Sequence, residues 1–126
     1  MKIVEQKDSI FVSKPEGTDV RYYIFPEYEI HYNEIKSGTT QPWHHHNIIE
    51  ETIYIISGEL KALWTDKDVK HFQTAKAGDI VRVENNPHTF VNESQDTVKF
   101  LVFRLILEGK DKRQQIKNDK QLDNIQ

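Results

Sequence analysis

The chain has 126 residues, 29% of them charged and 37% hydrophobic, and a formal net charge of −3. That length makes one domain with a core of its own, and the acidic balance argues against a dedicated nucleic-acid binder, which carries a basic face. Cysteine is absent, which excludes disulfides and thiolate metal ligands and suits a reducing compartment.

In chain order, short runs rich in β-branched and aromatic residues alternate with turn signals. Residues 9–13 form a first strand, stopped by Lys14-Pro15-Glu16-Gly17. Residues 20–25 and 28–35 are the next two, separated by Pro26. Ser37-Gly38-Thr39-Thr40 and Pro42 make a loop that leads into three consecutive histidines, His44, His45 and His46. A strand over 51–56 ends at Ser57-Gly58, and another over 59–65 ends at the polar turn Asp66-Lys67-Asp68. A weaker strand covers 69–74, and Ala77-Gly78-Asp79 turns the chain into 80–83. Glu84-Asn85-Asn86-Pro87 is a further turn, and strands over 88–92 and 98–107 complete the set. No segment before residue 109 has helical periodicity. Many short strands at close spacing predict an all-β antiparallel sandwich or barrel over residues 1–108. Residues 109–126 are polar, with only Ile116, Leu122 and Ile125 apolar, and predict a surface helix or a frayed tail. The first eight residues lack the apolar core of a secretory signal, and no apolar run approaches the roughly 20 residues of a membrane span. These features predict a soluble, cytoplasmic protein.

The histidines carry the chemistry. Imidazole and carboxylate hold borderline divalent metals such as iron, zinc, nickel, cobalt or manganese. Alternate residues of a strand share a face, so His44 and His46 point together while His45 points away. Glu51 lies an odd number of residues after His46, so a turn or bulge within Asn47-Ile48-Ile49-Glu50 must intervene, with Asn47 a reasonable place for it. Beyond it Glu51, Ile53 and Ile55 share one face, which aims the carboxylate at an apolar interior. An unpaired buried carboxylate is very costly, and a metal is one way to satisfy it. His88, sharing a face with Phe90 and Asn92, completes the set. An isolated run of three histidines is ordinarily a surface loop; the residues around this one reverse that reading.

Gly38, His44, His46, Glu51 and Gly58 match G-x5-H-x-H-x4-E-x6-G in full, and Gly78, His88 and Asn92 match a second, looser motif. This is the arrangement of the two cupin motifs, and over roughly residues 30–107 the chain resembles a small single-domain cupin. It departs from the family where Glu84-Asn85-Asn86 replaces the usual P-x-G and shortens the turn by one residue; Pro87-His88 is kept. The resemblance implies a double-stranded β-helix, or jelly roll, with one divalent transition metal (Fe, Mn, Zn, Ni or Co) inside the barrel mouth. Its ligand set of three histidines and a glutamate becomes His44, His46, Glu51 and His88. The family spacing also chooses Glu51 over Glu50, which is left to face outward or to support the ligands. The ligand set leaves one or two positions of an octahedral ion open for water, dioxygen or a chelating substrate.

Other side chains are weighed individually. Gln41, Tyr32, Arg82 and Arg104 are candidates to orient a substrate, with Arg82 expected to point into solvent. An arginine inside the barrel would suggest an anionic ligand. His31 and His71 lie away from both motifs and read as ordinary strand or surface residues. Among the aromatic residues Trp43, Tyr54, Trp64, Phe90, Phe100 and Phe103, some are expected to line a cavity and most to pack the core. There is no phosphate-binding G-x-x-x-x-G-K loop and no serine in a nucleophile-elbow context.

Fold does not dictate function, so three readings stand, one of them a structural or interaction role in which the metal serves only stability. Another is a metal-dependent enzyme, of the dioxygenase or the isomerase/lyase type, acting on a small organic molecule, with no acid or base assigned. The third is a non-catalytic module that binds or senses a small, sugar-like molecule. A regulator would usually add a helical DNA-binding domain, and none is visible; neither nucleic acid nor membrane is an expected partner. The resemblance implies a homodimer, and residues 9–13 are the candidate pairing strand.

Overall fold

A computed structural model describes residues 1–125. A single 3-10 turn over Gln6–Asp8 leads into nine strands, and the strands follow the predicted order. They are β1 (Ile10–Ser13), β2 (Thr18–Ile24), β3 (Tyr28–Ile35), β4 (Ile49–Ser57), β5 (Glu59–Asp66), β6 (Val69–Lys76), β7 (Ile80–Arg82), β8 (His88–Val91) and β9 (Val98–Ile106). One short helix, α1 (Arg113–Asn118), lies in the polar C-terminal segment and buries no residue. None of the helices in the described residues is long and apolar enough to cross a membrane.

The strands form two antiparallel sheets: a six-stranded sheet in the order β1-β2-β3-β9-β4-β7 and a three-stranded sheet in the order β6-β5-β8. The buried core draws on both, with Ile35, Ile53, Ile55, Val98, Phe100 and Val102 from the larger sheet and Leu60, Ala62, Ala75 and Phe90 from the smaller. Each fully buried large apolar side chain contributes on the order of 1.5–3 kcal/mol relative to exposure. This is the all-β antiparallel arrangement expected from the strand pattern, in the jelly-roll form that the family resemblance implied. Among the described residues the barrel is not closed by hydrogen bonds: β6 and β7, each at an edge of its sheet, do not pair with each other.

Register places the site. Across the larger sheet, residues directly opposite one another line up as rungs. Glu29 of β3 pairs with Arg104 of β9, which in turn pairs with Glu51 of β4. The next rung inward is Tyr22, His31, Val102 and Ile53, and the one after is Val20, Asn33, Phe100 and Ile55. The inner rungs are the core: Ile53, Ile55 and Phe100 are all at most 2% exposed. The outer rung, on the same face, is therefore a charged row at the rim of an apolar interior.

The motif glycines have local causes. Gly58 ends β4 with a positive φ of 87°, and a Cβ there would stand 3.2 Å from the Val98 backbone. Only glycine lets β9 approach that closely. Asn92 of the second motif is buried and works structurally. Its amide donates to the carbonyls of Ile35 (2.9 Å) and Asp96 (2.7 Å), and its oxygen accepts from the Ser94 N–H (3.0 Å).

Candidate metal centre

The chain reaches the site along two routes. Residues 40–44 lie beside β8, held by bridges Thr40–Val91 and His44–His88. The His44 N–H donates to the His88 carbonyl (3.0 Å) and the His88 N–H to the His44 carbonyl (2.9 Å). Such reciprocal pairing sets the two side chains next to each other on one face, and their rings lie 4.4 Å apart. Two residues on, His46 returns to the same side. The backbone then bends at Asn47-Ile48 before β4 begins at Ile49. This is the irregularity that the odd spacing from His46 to Glu51 requires. The strand starts two residues earlier than predicted, because Ile49 and Glu50 already pair with Ile106 and Leu105 of β9.

The four predicted ligands come together. One ligand atom from each of His44, His46, Glu51 and His88 lies within 4.8 Å of every other. Ligands about 2.1 Å from a common ion stand at most about 4.2 Å apart, so the four side chains would draw together on binding one. The shortened turn does not hold His88 back. Glu84 takes the left-handed conformation there (φ 59°) that a glycine would otherwise supply, and the His88 side chain is buried.

Two of the rings are latched in a metal-ready tautomer. His44 Nδ1 lies 2.9 Å from the Pro42 carbonyl, and His88 Nδ1 lies 2.8 Å from the Asn86 carbonyl. A carbonyl oxygen only accepts, so each Nδ1 carries the proton and each Nε2 presents a lone pair. The Nε2 atoms of His46 and His88 are both buried and lack a hydrogen-bond partner among the described residues. His46 Nε2 sits 3.2 Å from Glu51 Oε1, an ion-pair distance without hydrogen-bond alignment. Orphaned buried nitrogens beside a carboxylate are the environment a cation completes. Burial holds the pKa of His46 below the ordinary histidine value, with Glu51 opposing and Arg104 reinforcing the shift. Burial does the same for His88 against its Asn86 hydrogen bond. Both shifts favour the neutral ring, the protonation state that binds metal.

A second constellation adjoins the four ligands. Arg104 Nε lies 2.9 Å from Glu51 Oε1, and Arg104 Nη1 lies 3.5 Å from Glu29 Oε2. The same Glu29 oxygen is 2.9 Å from His31 Nε2. A carboxylate accepts, so His31 donates from Nε2 and keeps Nδ1 as the ring's remaining acceptor. Burial lowers the His31 pKa, the Glu29 hydrogen bond opposes that shift, and Arg104 adds to it.

His31 corrects the reading of it as an ordinary strand or surface residue. It is 7% exposed and lines the same cavity, about 470 Å³, as His44, His46, Glu51 and Arg104. Its period-2 position on β3 was legible; what β3 lies beside was not. Of the proposed substrate-orienting residues, Gln41 and Arg104 line this cavity. Tyr32 does not: it lies on the opposite face and donates to Glu34. Arg82 points outward as expected, with its side chain 62% exposed and 3.7 Å from Glu50. Glu50 is buried and accepts the Glu84 N–H at 3.1 Å, bracing the turn before His88. Phe90 and Phe100 line the cavity, whereas Trp43, Tyr54 and Phe103 are exposed. His71 is exposed and stacks on Trp64, which separates it from His88 across β5, and it is not among the clustered side chains.

Comparison with known proteins agrees with this fold. Among solved structures sharing the fold, the polyketide cyclase RemF from Streptomyces resistomycificus is 22% identical, with 87% of this chain and 82% of that one covered and a TM-score of 0.68. CENP-C from Drosophila melanogaster, bound to CAL1, is 13% identical over 81% of this chain and 80% of that one, with a TM-score of 0.72. Oxalate decarboxylase from Lactobacillus farciminis is 17% identical with a TM-score of 0.71; 85% of this chain is matched to 33% of that one. At these identities the likeness is one of fold. No curated protein matches the sequence. The sequence model of the cupin domain matches residues 31–104, more than half of the chain and the stretch that holds all four clustered side chains, and the protein belongs to the cupin family.

Proposed function

We propose that His44, His46, Glu51 and His88 hold one divalent transition metal and that the protein is a metal-dependent enzyme acting on a small organic molecule. The observation that carries this reading is the convergence of four ligand atoms within 4.8 Å, two of them buried imidazole nitrogens with no partner. A divalent ion there would supply Lewis acidity or, with a redox-active element, dioxygen chemistry. The chain's own contribution is a cavity with an apolar side formed by Ile53, Phe90, Phe100 and Val102. His31, oriented by Glu29, is the residue that accepts or returns a substrate proton through Nδ1. That RemF is a cyclase and oxalate decarboxylase a decarboxylase supports an enzymatic reading of the fold.

A second reading, a binding module without turnover, is favoured by the CENP-C domain, whose partner there is a protein. We also infer a homodimer formed through β1, a free sheet edge on which Ile10, Phe11 and Val12 are all exposed. Unpaired edges with apolar side chains invite pairing with a second copy. Sedimentation should show a dimer that Val12→Lys dissociates; a wild-type monomer refutes it.

The deciding experiment is elemental analysis of protein purified without a tag or chelator. About one equivalent of a transition metal per chain supports the site. Iron would direct assays to oxygen consumption, and zinc, nickel or manganese to isomerase or lyase chemistry. A protein that neither carries nor takes up metal would leave only the binding-module reading.

A further inference from the structure

Arg104 is under-used where it stands. A guanidinium has five N–H donors in a planar fork suited to a carboxylate. Here its single aligned hydrogen bond is the 3.5 Å contact from Nη1 to Glu29. Its Nε is buried and, although 2.9 Å from Glu51 Oε1, is not aligned with it and has no hydrogen-bond partner among the described residues. The side chain is 27% exposed, and Arg104 lines the cavity that also holds three of the four clustered ligands.

Charge makes the same point. The outer rung sets Arg104 between two carboxylates, Glu29 and Glu51. Without a cation the rung carries one negative charge in excess. With a divalent ion drawing on Glu51, the excess becomes one positive charge, and the Arg104 fork loses its nearer counter-ion. The remaining cavity wall is in part apolar (Val20, Ile53, Phe90, Phe100, Val102) and in part polar (Tyr22, His31, Asn33, Gln41), with the oppositely charged Lys14 and Glu16 of the β1–β2 turn also lining it.

We propose that the cavity binds a small monocarboxylic acid with a compact apolar body, its carboxylate received by Arg104. This rests on the metal reading above, because Glu51 must turn to an ion for Arg104 to be released. Glu29 stays on the other side of the guanidinium, fixing its plane toward the cavity and keeping a second anion from being accommodated. A neutral sugar-like ligand would leave the Arg104 charge uncompensated.

The test uses the whole 126-residue chain loaded with zinc, its zinc content measured first. The probes are isobutyrate and its neutral isostere isobutyramide, with glucose as a polyol control, followed by ligand-observed NMR titration. Isobutyrate should bind at least about tenfold more tightly than isobutyramide, as expected for a charge-assisted pair, and glucose should not bind. Arg104→Gln should weaken isobutyrate about tenfold with zinc content unchanged. Arg104→Lys, which keeps the charge but not the fork, should fall between the two, and it serves if the glutamine variant does not fold. The inference is overturned if acid and amide bind alike, if neither binds, or if both Arg104 variants bind the acid as tightly as the wild type. A protein that takes up no zinc overturns the metal reading, and this inference with it. A protein that takes up zinc but fails the acid–amide comparison overturns the inference alone.

Discussion

The two sheets contribute unequally to the cavity. The larger sheet presents a graded inner face, from the charged rung Glu29-Arg104-Glu51 to fully buried Ile53, Ile55 and Phe100. The smaller sheet supplies Leu60, Ala62 and Phe90 to the core and one candidate ligand, His88. Its edge strand β6 buries only Ala75, leaving Phe72 exposed. The lesson is that a site can be concentrated on one sheet while the other acts as a partial cover. Three neighbouring strands in register can assemble charges that no local stretch of sequence contains. The smaller sheet places His88 opposite them, and the segment bonded to its strand β8 brings His44 and His46.

The largest expected effect bears on the point where the two sheets meet. His46→Ala and Glu51→Ala should each lower metal affinity by at least about a hundredfold, taking ligand loss to cost no less than loss of a ligand's supporting partner. His45→Ala, on the outward side, should leave metal content unchanged. Equal loss in all three, measured by elemental analysis after dialysis, would break the strand-alternation argument.

Stability should divide the same way. Phe100→Ala removes a ring that is 2% exposed, and cavities of this kind cost about 3–5 kcal/mol. Phe72→Ala on β6 removes a ring that is 72% exposed and should cost under about 1 kcal/mol, including its contact with Lys61. Chemical denaturation of the two variants checks this; similar losses would mean that β6 is better covered than its exposure indicates.

Acid sensitivity sharpens the comparison further. Burial lowers the pKa of His31, His46 and His88 below 6.5 in the folded protein. Between each lowered value and 6.5 the unfolded chain binds more protons than the folded one. Stability of the metal-free protein therefore rises with pH through that window and is lost on acidification below 6.5. Thermal melts across this range should show it, and replacing His88 with Gln should flatten the slope. A melting temperature independent of pH would contradict the burial of these rings. The smallest effect is expected from removing residues 110–126. Helix α1 buries nothing, so metal content should be unchanged and stability altered by less than about 0.5 kcal/mol.

Much of this was legible in the sequence because its signals are local. Alternation of apolar residues and turn chemistry act within about a dozen residues, and the G-x5-H-x-H-x4-E-x6-G spacing lies within the single stretch from Gly38 to Gly58. They were enough to give nine strands in order, the break between His46 and Glu51, and the four converging side chains. The tertiary structure decided everything that depends on which strand lies beside which. His31 looked ordinary on β3 until β9 was placed next to it and Arg104 brought Glu29 and Glu51 to either side of one guanidinium. Tyr32, its neighbour, was turned out of the site by the same alternation that turned His31 in. Periodicity reveals that a residue faces inward but not what it faces. Pairing across strands far apart in the chain, as between residues 29, 51 and 104, is set by the packing of the whole core.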